Sequence, residues 1–259
     1  MLAPSALVKG IVAKLLPSPF GDDRDLDKPM RVTRYGEQVL QLNTPPTRHG
    51  LSEEGSYLIA TNPTIDTGQA WVAAQTAFSD TAPNFYIYNP ENAASSNAKS
   101  IYLDYLKLIA TAVATSAVSV RYAFVLDTIA RALTTDNTQT ITPVNPNGNV
   151  SNLMTPVIKV QNNATASVIA ASSSAKRIVG QGVLGGLPAI GDTYKILFGH
   201  PDTGMHSGLT AAQATAPRYS VDSTAPIIIG PGQSLTMHLW MPSSAATFTP
   251  VWEMGMWVR

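Results

Sequence analysis

The sequence predicts an all-β fold, a jelly-roll-like β-sandwich behind an N-terminal arm that contains a short helix. Three observations carry this. In Ser234 to Met241 the odd positions Leu235, Met237, Leu239 and Met241 are apolar and Thr236 and His238 lie between them, the period of a strand with one buried face. From Phe248 to Val258 the even positions take over: Phe248, Trp252, Met254, Met256 and Val258 share one side, with Glu253 and Arg259 on the other. Short β-rich runs recur upstream, separated by Gly, Pro and Asn clusters at roughly 8–20-residue spacing, the punctuation of a sandwich or jelly roll.

The elements are taken in chain order. Leu7, Val8, Ile11, Leu15 and Leu16 fit a short amphipathic helix, docked on its own domain or on a partner. Lys9, Gly10 and Lys14 interrupt the apolar run that a signal peptide needs. Residues 17–29 read as a linker; its Asp22, Asp23, Asp25 and Asp27 alternate with Arg24 and Lys28, a salt-bridged stretch rather than a calcium loop. The arm and linker are therefore assigned to residues 1–46 and the sandwich to 47–259, with β character expected from His49 onward.

Ser56 to Thr61 and Asn84 to Asn89 read as strands, and Trp71 to Phe78 as strand or helical turn. Between Lys99 and Arg131, Tyr102, Leu106, Ile109 and Val113 have helical spacing. Enrichment in β-branched residues and the alternation of Val120, Tyr122, Phe124 and Leu126 argue instead for two strands joined near Thr115-Ser116-Ala117. Further short strands are expected at Thr138 to Val144, Val157 to Val160, Ala166 to Ala171, Lys176 to Val179 and Tyr194 to Phe198. Gly180, Gly182, Gly185, Gly186 and Gly191 are read as marking turns.

Composition narrows the function. The 259 residues contain no cysteine, which excludes disulfides and thiolate chemistry. Lys plus Arg and Asp plus Glu number 17 each, a balance that argues against nucleic-acid or anionic-membrane binding. Only 13% of residues are charged, about half the usual share. A polar, weakly charged surface with no net charge is poorly protected against association, as befits an assembly component.

Candidate chemistry is sparse. His200, Asp202 and His206 lie in H-P-D-T-G-M-H, where Pro201 and Gly204 argue for a surface loop over a metal site. No Gly-x-Ser-x-Gly elbow occurs. Gly180-Gln-Gly182-Val-Leu-Gly185 has no βαβ context and reads as a chance match to a dinucleotide motif. No catalytic, cofactor or metal residues are assigned, and the expectation is a non-enzymatic protein. His238 is read as an interface or satisfied sheet residue. The aromatics Trp240, Trp257, Tyr102 and Tyr88 fit core or subunit interface better than sugar stacking.

The runs P-I-I-I-G-P-G-Q-S-L-T-M-H-L-W-M-P and W-E-M-G-M-W-V-R, with I-Y-L-D-Y-L-K-L-I-A-T-A-V-A-T and V-R-Y-A-F-V-L-D before them, resemble structural proteins of tailed bacteriophages. These are β-sandwich decoration or cement proteins on the outside of the head. The resemblance covers residues 56–259 and implies a virion protein, made in the host cytoplasm, that stabilises a capsid by self-association, as a homotrimer, and by contact with a major capsid protein. A receptor- or carbohydrate-binding virion module and a main shell-forming capsid protein are the alternatives. Leu7, Ile11 and Leu15 of the arm, with Trp240 and Trp257, are the expected contact residues.

Overall fold

Apolar alternation gives each strand a face that must be covered, and two sheets meeting face to face cover both at once. The computed structural model describes residues 47–69, 75–113, 119–131, 138–161, 169–186, 189–199, 219–242 and 248–259. The chain divides into two compact units, residues 1–50 and Leu51–Arg259. The expected arm helix with Leu7, Ile11 and Leu15 lies outside the described residues. A helix, α1, occupies Thr47–Glu53, where the sequence reading expected β character to begin.

Among the described residues twelve strands follow: β1 (Tyr57–Thr61), β2 (Phe85–Tyr88), β3 (Ile101–Val113), β4 (Ser119–Asp127), β5 (Thr138–Ile141), β6 (Val157–Gln161), β7 (Arg177–Gly186), β8 (Thr193–Phe198), β9 (Tyr219–Thr224), β10 (Ile228–Ile229), β11 (Ser234–Trp240) and β12 (Phe248–Val258). Sheet 1 has the order β1-β12-β3-β8-β9, with β10 also on β3; sheet 2 has the order β5-β6-β2-β11-β4-β7. Eight strands make nested antiparallel pairs: β1 with β12, β2 with β11, β3 with β8, and β4 with β7. A long hairpin rolled into two facing sheets gives this nesting, and it defines a jelly roll. The β5–β6 pair widens sheet 2 beside β2, and β9 runs parallel to β8 at the edge of sheet 1.

The interior is filled by side chains. Phe248, Trp252, Met254, Met256 and Val258 from β12 meet Leu235, Met237 and Leu239 from β11, with Phe85 and Phe124 between them. Phe85 packs edge-on against Trp252 at 4.9 Å between ring centres. The Tyr122 hydroxyl on β4 reaches across to Asp222 on β9; burial, then that hydrogen bond and the Asp222 charge, push its ionisation up.

Two expectations are corrected. Gly180, Gly182, Gly185 and Gly186 lie within β7, not in turns. At Gly182 a Cβ would come within 2.6 Å of the Tyr122 hydroxyl, and at Gly180 within 2.7 Å of Thr224; these glycines leave room for side chains that close the corner of the sandwich. Gly191, at φ 88°, is a turn residue as expected. The second correction concerns β11, which is buried on both faces: Thr236 and His238 have no exposed surface. Of the run 166–171, the described residues 169–171 belong to no strand.

Gly255 supports a testable expectation. Its missing side chain makes space on the outer face of sheet 1 for the Tyr105 ring and for the Tyr57 hydroxyl, which a Cβ would approach to 2.5 Å. Gly255→Ala is expected to destabilise the sandwich by about 1–3 kcal/mol in urea unfolding, because both tyrosines are held by hydrogen bonds and cannot swing away freely. An unchanged midpoint would count against this packing.

Candidate interaction surface

Each sheet turns one face away from the core, and the two outer faces differ. On sheet 1 the register aligns Tyr57, Trp257, Tyr102 and Ile228 as one rung across β1, β12, β3 and β10. Trp257 and Tyr102 stack with ring planes 1° apart and centres 5.7 Å apart. Both are partly exposed, and Ile228 is 46% exposed. Tyr57 is buried, and its hydroxyl donates to Asp104 Oδ2 at 2.7 Å. Asp104 is the extra residue of a bulge in β3, opposite the Gly255–Met256 step.

Beside the rung lies a polar network. The Tyr105 hydroxyl and Lys107 Nζ both donate to Glu253, the latter at 2.9 Å, and Lys195 Nζ sits 4.9 Å above the Tyr105 ring. Burial alone would raise the Glu253 carboxyl; hydrogen bonds from Tyr105 and Lys107 outweigh it and hold the group below its ordinary value. With both side chains about 30% exposed, the Lys107–Glu253 pair adds at most about 1 kcal/mol to folding. Next to it a groove of about 230 Å³ is lined by Asn62, Ile65, Lys107, Val251 and Glu253, among others. Ile65, at its rim, is 90% exposed.

The outer face of sheet 2 is covered for much of its width by three segments, residues 75–84, 128–131 and 169–176. Arg131, fully buried, ties them together. Its Nε donates to the Ala170 carbonyl at 3.1 Å and Nη2 to the Asp80 carbonyl at 2.6 Å. Nη2 also pairs with Asp80 Oδ2 at 3.3 Å. Its backbone N–H donates to the Tyr86 hydroxyl of β2. Asp127 receives the hydroxyl and N–H of Ser173 and the N–H of Thr128. Burial raises the Asp80 and Asp127 carboxyls, but their hydrogen bonds from Ser172 and Ser173 and the Arg131 charge bring both below the ordinary value.

Trp240 lies on this face, half-buried, with its ring centre 5.8 Å from that of Phe78. Phe78 also covers His238, at 4.9 Å. Along the β7 edge, Ile178 and Val183 are 61% and 49% exposed.

Of the residues expected to make contacts, Trp240 and Trp257 thus lie on opposite outer faces, each against another aromatic. Leu7, Ile11 and Leu15 lie outside the described residues, as do His200, Asp202 and His206. Tyr102, read as core or interface, is the partner of Trp257. Sequence reasoning did not single out the Asp80–Arg131 anchor; an arginine directly after an apolar strand and a short turn was its one available sign. Among the described residues no three His, Asp or Glu side chains group as metal ligands, and no helix is long and apolar enough to cross a membrane.

Fold and faces together define a jelly-roll sandwich with a solid core and partly apolar outer faces. The chain matches no protein-family model, no curated protein and no solved structure.

Proposed function

We propose that this chain is a non-enzymatic structural subunit of a virus particle, working through contacts made by the outer faces of its sandwich. The observation that carries the reading is the nested eight-strand roll around a solid core of side chains. Jelly rolls of this kind serve as capsid domains, lectin domains and cupins. A cupin-like site needs polar ligands inside the roll, and here the described interior is hydrocarbon and aromatic. A sugar platform needs a free ring face at a groove; the groove here is lined by no exposed aromatic, and Trp257 and Tyr102 cover one another.

The weakly charged, neutral composition supports repeated subunit contact in the same direction. Contacts of about 1,600 Å² are typical of specific association, and symmetric repetition strengthens them through avidity. The phage-like resemblance implies a decoration or cement role, with a homotrimer bound to a major capsid protein. The complete roll favours a shell-forming subunit equally made of such contacts, and this is the second reading.

The test is the mass of the purified protein by light scattering, with particles imaged by negative-stain electron microscopy, with and without residues 1–27. Closed shells formed by the protein alone support the shell-forming role. A discrete trimer supports the decoration role. A monomer at all concentrations, with no binding to capsids, overturns the structural reading. Trp257→Ala is expected to weaken self-association at least tenfold while changing folding stability by less than about 1.5 kcal/mol.

A further inference from the structure

We propose that the segment layer 75–84, 128–131 and 169–176 is an acid-released flap over the outer face of sheet 2, opened by proton uptake at His238 beneath it. The geometry defines the proton's destination. Thr236 Oγ1 lies 3.3 Å from the Val125 carbonyl, to which its hydroxyl donates, and 2.9 Å from His238 Nε2. One of Thr236 Oγ1 and Nε2 donates to the other, and which one does follows the ring tautomer; where Nε2 carries the hydrogen, Nδ1 is left with its lone pair. Nδ1 is buried and makes no hydrogen bond.

Around that lone pair the charges oppose a second proton. Burial is the largest cause and the Arg131 charge the next; Asp80, with the Ser79 and Ala82 carbonyls, favours the charged ring more weakly. Lys176 acts through Asp80, 3.4 Å away, and Asp127 through Arg131. Arg121 of β4 pairs with Trp240 at the open margin of the face, two residues along from His238. The result is a folded-state value of about 4 against the usual 6.5. A group depressed in this way takes up its proton only when the cover lifts. Opening therefore becomes easier as pH falls from 6.5 towards 4, and above 6.5 the layer is indifferent to pH. Asp80, held below its ordinary value, keeps its charge through this window and acts only at lower pH.

The layer leaves as a unit only when its bonds to sheet 2 release: Met241 N–H to the Gln75 carbonyl, Ser234 to the Ile129 carbonyl, Arg131 N–H to Tyr86, Ser173 to Asp127, and those of Asn84 with β11. Its segments are laced to one another through Ile169 N–H to the Thr81 carbonyl, Ala170 N–H to the Arg131 carbonyl, and the Arg131 side chain. The jelly-roll core lies on the other side of sheet 2 and makes no use of these bonds. Lifting the layer, which carries Phe78 away with it, would uncover His238 and the covered part of Trp240 on the outer face of sheet 2.

The experiment is amide hydrogen exchange on the full chain at pH 7.5 and 5.0, each corrected for intrinsic exchange, together with the exchange of the His238 ring C2 hydrogen across pH. Opening at pH 5.0 is expected to rise about 30-fold in the three segments, while β3 and β12 keep their protection. In His238→Gln the pH difference should vanish. Equal protection at both pH values, loss spread evenly over both sheets, or a pH difference that persists in His238→Gln overturns the proposal. If that variant does not fold, the wild-type ring decides: a C2 midpoint near 4 supports the flap, and one near 6.5 overturns it.

Discussion

Trp252→Ala is expected to cost about 3–5 kcal/mol of folding stability, the range for deleting a large buried aromatic. Trp252 is 1% exposed, and its ring lies edge-on to Phe85 of the facing sheet. Neighbouring strands are pinned by hydrogen bonds on both sides of β12, so the cavity cannot collapse far. A loss of this size approaches the whole stability of many domains, about 5–15 kcal/mol, and corresponds to a fall of about 6–20 °C in thermal midpoint. Urea unfolding followed by circular dichroism reads it. Trp257, five residues on and facing outward, is the built-in control: its replacement should change folding by less than about 1.5 kcal/mol. Equal effects at the two positions would mean that the faces of β12 are wrongly assigned.

The second large effect is expected at Arg131. Arg131→Ala removes the donors to the Ala170 and Asp80 carbonyls and one partner of the Asp80 carboxylate, from a side chain with no exposed surface. Asp80 is 22% exposed and can regain hydration, so the loss falls short of that for a fully buried pair. About 2–4 kcal/mol is expected. Arg131→Lys should not restore it, because an ammonium cannot span two diverging carbonyls as the guanidinium fork does. Hydrogen exchange should place the damage in residues 75–84, 128–131 and 169–176 and spare β3. Uniform damage would show that the arginine supports the core instead.

Legibility in the sequence followed the range of the interactions. The alternation in β11 and β12 was readable because a strand's own neighbours write it. Ile101–Val113 and Ser119–Asp127 proved to be strands for the same reason, with β-branched content outweighing an accidental helical spacing; their expected join at Thr115-Ser116-Ala117 lies outside the described residues. The glycines of β7 misled because glycine serves turns and close packing alike, and only the distant rings of Tyr122 and Phe124 distinguish the two. Strand β9 was missed since its run Y-S-V-D-S-T alternates weakly; its place comes from pairing with β8 and from Asp222 meeting Tyr122, about 100 residues away. The burial of Thr236 and His238 could not be read from β11, because their cover is supplied by three segments elsewhere in the chain. Trp240 and Trp257, read from the sequence as core or interface, fall outside the two apolar stripes by parity, but parity says nothing about which neighbour each outward ring meets.

The nesting of strands also sets an order of events when the chain folds. Tyr57 faces Trp257, about 200 residues later, and closing a loop of that length costs on the order of 5 kcal/mol before any contact repays it. Strands β4 and β7 can meet early and β3 and β8 next, and β2 can meet β6, but β1 must wait for β12 and the other edge of β2 for β11. During synthesis these edges stay without their strand partners while most of the chain is made, and unpaired edges are sites of misassociation. A roll closed by its last strands should therefore mature slowly and as a whole, so that truncation within β12 leaves not a smaller domain but two open sheets.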